Sequence, residues 1–160
     1  MAKVTINTSR FKRFISNFTD DLDRAIPKAL NRSGEKMRET ILDRTSRGVG
    51  LRGRFKRYSK GYAEFRKENG RGTTPDLNFS GRMLSNLDVE RKGRNKVIVG
   101  FKRKQEQEKA KFNQKTRPFI GVTSGEVKFI ADAFERQLQR ELRWAKQVIE
   151  KTLQKTLFQN

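Results

Sequence analysis

The chain contains no cysteine and no histidine. Their absence removes disulfides, thiolate nucleophiles, imidazole bases and nearly every zinc or haem site. Long hydrophobic runs are missing as well: nowhere do roughly 18 apolar residues follow one another. Met1 to Arg13 carries lysine and arginine, but no apolar stretch of about seven to fifteen residues follows it. A soluble protein made in the cytoplasm, without a membrane partner, is therefore expected.

Acidic residues are scarce, 18 against 38 lysines and arginines, giving a formal net charge of +20 and a pI near 10.9. Solubility alone is served by a magnitude of roughly 2 to 8 in a small domain. A surplus of this size repels itself and finds compensation in polyanions, whether nucleic acid, anionic lipid or an acidic protein face. The charge is uneven. Arg47 to Gly72 holds nine basic and two acidic residues, and Asp88 to Lys104 seven and two. The C-terminal stretch 124–157 holds seven and five, so the positive field belongs to the middle of the chain.

Apolar residues make up 33% of the chain and include twelve phenylalanines, enough for one modest core. The expectation is a single domain over 1–160. It divides into an N-terminal helical segment 8–46, a basic glycine-rich loop or arm 47–74, a hairpin and sheet region 75–123 and a long C-terminal helix 124–158.

Phe11, Ile15, Phe18, Leu22 and Ile26 recur at helical spacing, and Leu30, Ser33, Met37 and Ile41 carry the same face onward. Pro27 between them marks either a kink or the first turn of a second helix. In the basic loop, Ser59 is placed to cap a short helix through Lys67 that stops at Gly70. Ser80 is placed to cap a turn holding Met83, Leu84 and Leu87. Leu87 and Val89 alternate with polar residues, Gly93 marks a turn, and Val97, Val99 and Phe101 share one strand face, which predicts a hairpin. A polar helical piece spans 105–112, and a short edge strand begins at Pro118. Ser124 is the expected cap of the last helix, with Glu126 in its first turn. Its stripe runs through Ile130, Phe134, Leu138, Leu142, Ala145, Ile149, Leu153 and Leu157. About thirty helical residues reach roughly 45 Å, so part of this helix is expected to pack outside its own domain.

Gly48, Gly50 and Gly53 have the spacing of a dinucleotide-binding loop, whose mechanism needs a strand before it, a helix after it and a ribose-binding acid. A helix precedes these glycines and arginines surround them, which favours a flexible basic loop. Asp20, Asp21 and Asp23 splay around a helix instead of converging on a cation, and so read as a charge-balancing face. Ser59 and Ser80 have no neighbouring base, and Lys60 beside Ser59 lacks the burial that would activate it. Phe55, Tyr58, Tyr62 and Phe65 interleave with lysine and arginine, as in single-strand binding, although aromatics at helical spacing more often dock inward. No feature points to an enzyme, a cofactor or a metal.

The order of short motifs resembles a known family. Phe55 to Tyr58, then Ser59, Tyr62 and Lys67, precede Asp76, Leu77, Ser80, Gly81, Met83 and Leu84. A strand at Val97 to Gly100 follows, and then Arg117, Pro118 and Phe119 stand before the terminal helix. This series is similar to the neck and tail-completion proteins of tailed bacteriophages, often called virion morphogenesis proteins. The likeness runs from Phe55 to the end of the chain, and the N-terminal helix agrees only in kind. Arg57 stands where the family often has proline, and the stretch from Phe101 to Arg117 is richer in lysine and glutamine.

The resemblance implies an α+β fold in which long N-terminal and C-terminal helices pack a small antiparallel sheet, with an extended basic loop. It implies a ring at the head-tail interface, hexameric more than dodecameric, acting as neck, tail-completion or tail-terminator protein in the virion. The partners expected are other copies of the chain, connector or portal-side proteins and tail-tube or terminator proteins, with nonspecific contact to double-stranded DNA. An alternative is a nucleic-acid-binding protein without sequence preference. The expected interaction arm comprises Arg47, Arg52, Arg54, Lys56, Arg57, Lys60, Arg66 and Lys67 with the hairpin's Arg91, Lys92, Arg94 and Lys96, touching protein or DNA phosphate and ordering on assembly. The motif or core residues are Phe55, Tyr58, Tyr62, Leu77, Ser80, Gly81, Met83, Leu84, Pro118 and Phe119, together with Phe134.

Overall fold

The computed structural model describes residues 8–157, with side-chain surroundings chiefly over 18–143. Helix α1 spans Thr8–Ser46 and runs unbroken through Pro27, so the proline stands inside one helix and not at the start of a second. The side chains of Phe11, Ile15, Ala145, Ile149, Leu153 and Leu157 lie outside those described.

Two small hairpins and three helices follow before the last long helix. Strands β1 (Val49–Gly50) and β2 (Gly53–Arg54) pair antiparallel around Leu51 and Arg52. Helix α2 spans Lys60–Glu68, capped by Ser59, whose hydroxyl accepts from the amide of Tyr62. Gly70 follows the helix at φ 65°, a conformation that costs glycine nothing. The short helix α3 (Arg82–Ser85) is entered through Gly81 in the left-handed conformation, without a side-chain cap. The expected capping role of Ser80 is therefore not found: the turn is made by backbone freedom at Gly81.

The predicted hairpin is present as β3 (Leu87–Arg91) and β4 (Val97–Phe101), in the register Leu87 to Phe101, Val89 to Val99 and Arg91 to Val97. It lies close on α1, where Gly34 leaves the room. A Cβ on Gly34 would stand 2.6 Å from a methyl of Val89 and 2.6 Å from one of Val97. Arg38 of α1 fixes the hairpin's end by donating to the carbonyl of Leu87 at 2.7 Å.

Helix α4 spans Lys104–Thr116 and helix α5 spans Ser124–Leu157. The edge strand expected at Pro118 does not form. The side-chain amide of Gln114 takes the place of a neighbouring strand: its oxygen accepts from the amides of Phe119 and Ile120 at 2.9 and 3.0 Å. Arg44 donates to the carbonyls of Phe119 and Gly121 at 2.7 and 3.0 Å. With these groups satisfied by side chains, the segment has no ladder to join. The cap of α5 is Thr123 and not Ser124. Its amide donates to the Glu126 carboxylate at 2.7 Å and its hydroxyl accepts from the Glu126 amide, the reciprocal pair of a capping box.

The fold is thus mixed helix and sheet, with α1 packed along α5, the β3–β4 hairpin lying on α1 and the small β1–β2 hairpin following α1. Ala25 and Ala29 of α1 and Ala133 of α5 are buried, and Ser33 reaches the carbonyl of Ile130 at 3.4 Å. The described part of the α5 stripe therefore finds its partner within the chain. Ile41, Phe55, Met83, Leu84, Leu87, Ala110 and Phe119 form the core, while Phe134 is only partly buried and stands outside that cluster.

Candidate interaction groove between α2 and α4

The basic segment 47–74 is tied to the body at both ends, which corrects the expectation of an extended arm. Phe55 turns inward into the core at 8% exposure, and the amide of Leu51 donates to the carbonyl of Pro118 at 2.8 Å. The Gly48, Gly50 and Gly53 spacing marks the β1–β2 hairpin and no nucleotide loop. Gly50 faces the Phe55 ring, which an added Cβ would meet at 2.5 Å.

Arg66 holds the other end. Expected on the exposed arm, it is 1% exposed. Its Nε donates to the carbonyl of Gly72 at 2.7 Å, and Nη2 donates to both carboxylate oxygens of Asp76 at 3.0 and 3.3 Å. Its guanidinium also lies over the Tyr58 ring, 4.9 Å from the centroid. A buried guanidinium is tolerable only with such a set of acceptors. Asp76 in turn accepts from the Asn78 amide at 2.9 Å, closing a turn in which Leu77 adopts φ 55°. That left-handed conformation costs a residue with a Cβ roughly 1–2 kcal/mol, and here the Leu77 side chain packs against the core in return.

The Arg117 guanidinium lies over the Tyr58 ring as well, 5.0 Å from its centroid. Arg117 also donates to the carbonyl of Lys56 at 3.1 Å and to that of Arg57 at 3.3 Å. Burial pushes the Tyr58 phenol above its ordinary value, with the Arg66 charge opposing. The Tyr58 and Tyr62 rings meet edge to face at 4.8 Å, Tyr62 stacks on Phe65 at 6.2 Å, and Phe65 stacks on Phe79 at 5.5 Å. Only part of this tier docks inward, since Tyr62 is 38% and Phe65 47% exposed.

Between this tier and α4 lies an open groove of about 920 Å³. Leu77, Phe79, Met83 and Phe112 supply apolar walls, and Phe112 is 71% exposed. Of the ionisable residues that line it, five are cationic and one is a carboxylate. Glu106, that carboxylate, is buried and accepts from Lys109 at 2.9 Å, and its other oxygen has no donor among the described residues. Arg66 is neutralised by Asp76. Lys56, Arg57 and Arg117 have no carboxylate partner among the described residues.

The motif residues scattered along the sequence meet here. Tyr58, Tyr62, Leu77, Ser80, Gly81 and Met83 line the groove, while Phe55, Leu84 and Phe119 join Met83 in the core beneath it. Pro118 contributes its carbonyl to the β1–β2 hairpin.

The remaining arm residues are dispersed. Arg52, Arg54, Lys60 and Lys67 are exposed outside the groove lining, and Arg47 pairs with Asp43 on α1. On the β3–β4 hairpin, Arg91 and Lys96 are exposed, Lys92 pairs with Glu90, and Arg94 reaches Asp23 at 3.0 Å. The hairpin cations are thus partly spent on internal carboxylates, and the two basic regions do not merge into one arm.

The sequence reading missed Phe79, Glu106, Lys109 and Phe112 as groove residues, while Arg117, named in the motif series, does line the groove. Phe112 and Lys109 lie three apart on a polar helix, a spacing that places both on one face, and the lone aromatic in that helix was the available signal. Among the described residues, no helix is long and apolar enough to cross a membrane. No family model, no curated protein and no solved structure matches the chain.

Proposed function

We propose that the chain is a structural virion protein of a tailed bacteriophage. It acts at the head-tail interface, as neck, tail-completion or terminator protein, and assembles as a ring that joins the capsid connector to the tail. The observation that carries this reading is the convergence of the motif series: residues of it drawn from separate parts of the chain, Tyr58, Ser59, Tyr62, Leu77, Ser80, Gly81, Met83 and Arg117 among them, line one groove. A motif series whose members share a surface reads as a binding face, whereas one confined to the core would speak only for packing. A ring subunit also needs two unlike surfaces, because a heterologous contact joins different patches of neighbouring copies.

Negative-stain imaging of the full chain mixed with connectors or tail tubes tests this. Rings seated on either structure are expected, and a strict monomer that joins neither overturns the reading.

The cations Lys56 and Arg57 beside exposed aromatics favour a second reading, nucleic-acid binding without sequence preference. Binding through six to ten phosphates weakens about a thousandfold or more between roughly 50 and 200 mM salt. Negligible DNA affinity near 150 mM salt would end it.

A further inference from the structure

We infer that the groove between α2 and α4 is a docking site for an acidic segment of a partner protein: an Asp or Glu side chain meets Arg117, and a large apolar side chain beside it rests on Phe112. The unmet charge is the first ground. Two arginines lie over the Tyr58 ring, 4.9 and 5.0 Å from its centroid. Arg66 is neutralised by Asp76, whereas Arg117, half-buried, has no carboxylate partner among the described residues. Its Nε and Nη2 donate to the carbonyls of Lys56 and Arg57, which fixes the guanidinium, and its Nη1 has no acceptor among the described residues. Carbonyls orient a positive charge without cancelling it, and a partly buried charge calls for a counter-ion. A guanidinium held in this way is shaped for a carboxylate. Lys56 and Arg57, exposed and also without carboxylate partners, add to the same field.

The apolar seat is the second ground. Lys109, Asn113 and Thr116 stand four and three apart and line the groove with Phe112 beside them, so α4 turns one face along it. Phe112 is 71% exposed, and Leu77, Phe79 and Met83 line the same space. An exposed aromatic next to an arginine that lacks its counter-charge is the combination that dominates the energetic centre of protein contacts.

The groove suits a peptide better than a nucleic-acid strand. Successive bases need successive free ring faces. Tyr58 already lies under two guanidinia, and Phe65 stacks on both Tyr62 and Phe79. Among the described residues, Phe112 alone of the groove's rings has no ring neighbour, which seats one side chain and not a run of bases. Glu106 also places a carboxylate in the lining, with one oxygen lacking a donor, and a row of phosphates would be repelled by it. The site rests on the head-tail reading only for which protein supplies the segment.

Fluorescence anisotropy with the full chain tests it, in roughly 150 mM salt, which screens attraction beyond about 8 Å. The probe is a fluorescein-labelled peptide with phenylalanine and leucine flanked by glutamates. It should bind saturably. Replacing its glutamates by glutamines, or its apolar pair by alanines, should weaken binding at least about tenfold. Phe112→Ala and Arg117→Gln should cause a loss of the same order, and Lys67→Met, outside the groove lining, should cause none. Because Arg117 also holds two loop carbonyls, Lys56→Gln with Arg57→Gln gives a second measure of the charge and should weaken binding as well, with circular dichroism confirming each fold. Absence of saturable binding, equal binding of the alanine peptide, or an affinity that Phe112→Ala does not move overturns the site. Oligothymidylate that binds more tightly than the peptide and is lost in Phe112→Ala gives the groove to nucleic acid and also overturns it. Rings on connectors or tail tubes without peptide binding defeat the site alone; peptide binding through the groove in a chain that joins neither defeats the head-tail reading and leaves the site standing.

Discussion

Arg44, in the last turn of α1, donates to the carboxylate of Glu126 in the first turn of α5, and so one ion pair joins the ends of the two longest helices. Each charge also sits at the helix end that its sign favours. The same guanidinium holds the carbonyls of Phe119 and Gly121, so the α4–α5 connection is fastened at the point where α5 starts. Arg44→Met removes these donors and leaves the Glu126 carboxylate, 17% exposed, without its counter-ion. Breaking a buried pair from one side costs about 3–5 kcal/mol. Urea denaturation should show a loss of that order, and a change below about 1 kcal/mol would mean that the connection is held by something else.

The pH dependence follows from Glu126. Burial alone would raise its carboxyl, but hydrogen bonds from the Thr123 amide and hydroxyl and the Arg44 charge outweigh it, and the group lies below its ordinary value of 4.5. A carboxyl depressed in the folded state binds protons more readily when unfolded. Its contribution is therefore fully present above the ordinary carboxylate value and is lost as pH falls through the lowered one. Glu141 is depressed in the same direction, chiefly by the hydrogen bond from Lys28, but it is more exposed and contributes less. Thermal melting between about pH 6 and 3 should show stability falling with acid, and Glu126→Gln should flatten that fall.

Much of this architecture is legible in the sequence because it depends on period and on single caps. The α1 face from Leu22 to Ile41, the Leu87–Phe101 hairpin with its glycine turn and the Ser59 cap all follow from local rules. Arg66 was not legible. Its inward direction depends on Asp76 ten residues away and on a turn that Leu77 makes in an unfavourable conformation, and no composition count separates one buried arginine from eight exposed neighbours. The segment after Pro118 read as a strand because its residues are apolar, yet Gln114 and Arg44 took its hydrogen bonds first. The capping box at Thr123 and Glu126 was visible in the spacing, and Ser124 drew attention only by standing one residue closer. The groove needed α2 and α4 to be brought together, which the sequence pattern does not specify.

Gly34 sets how closely the hairpin lies on α1. An alanine there would improve helix propensity by about 1 kcal/mol, but its Cβ would stand 2.6 Å from methyls of both Val89 and Val97. Valine has few rotamers with which to escape, and overpacking of this kind costs about 1–3 kcal/mol. Gly34→Ala should therefore destabilise the protein by about 1 kcal/mol net. Adding Val89→Ala removes one clash, so the two changes should be less than additive in chemical denaturation. Simple additivity would show that the hairpin moves away from α1 without penalty.

Arg66 tests whether charge or shape holds the 47–74 segment. Arg66→Lys keeps the positive charge, but an ammonium lacks the planar fork that reaches Gly72 and Asp76 at once, and it cannot lie flat on Tyr58. If the segment were held by charge alone, lysine would serve nearly as well. The geometry predicts instead a loss of roughly 2–4 kcal/mol, close to that of Arg66→Met, because in either variant buried acceptors lose their donors. The readout that separates these cases is limited proteolysis at the many lysines and arginines between Arg52 and Arg71. Both variants should be cut there well before global unfolding, whereas a surface variant such as Lys67→Met should not. Equal protection in Arg66→Lys and the wild type would show that the segment is held by its charge and not by this hydrogen-bonded knot.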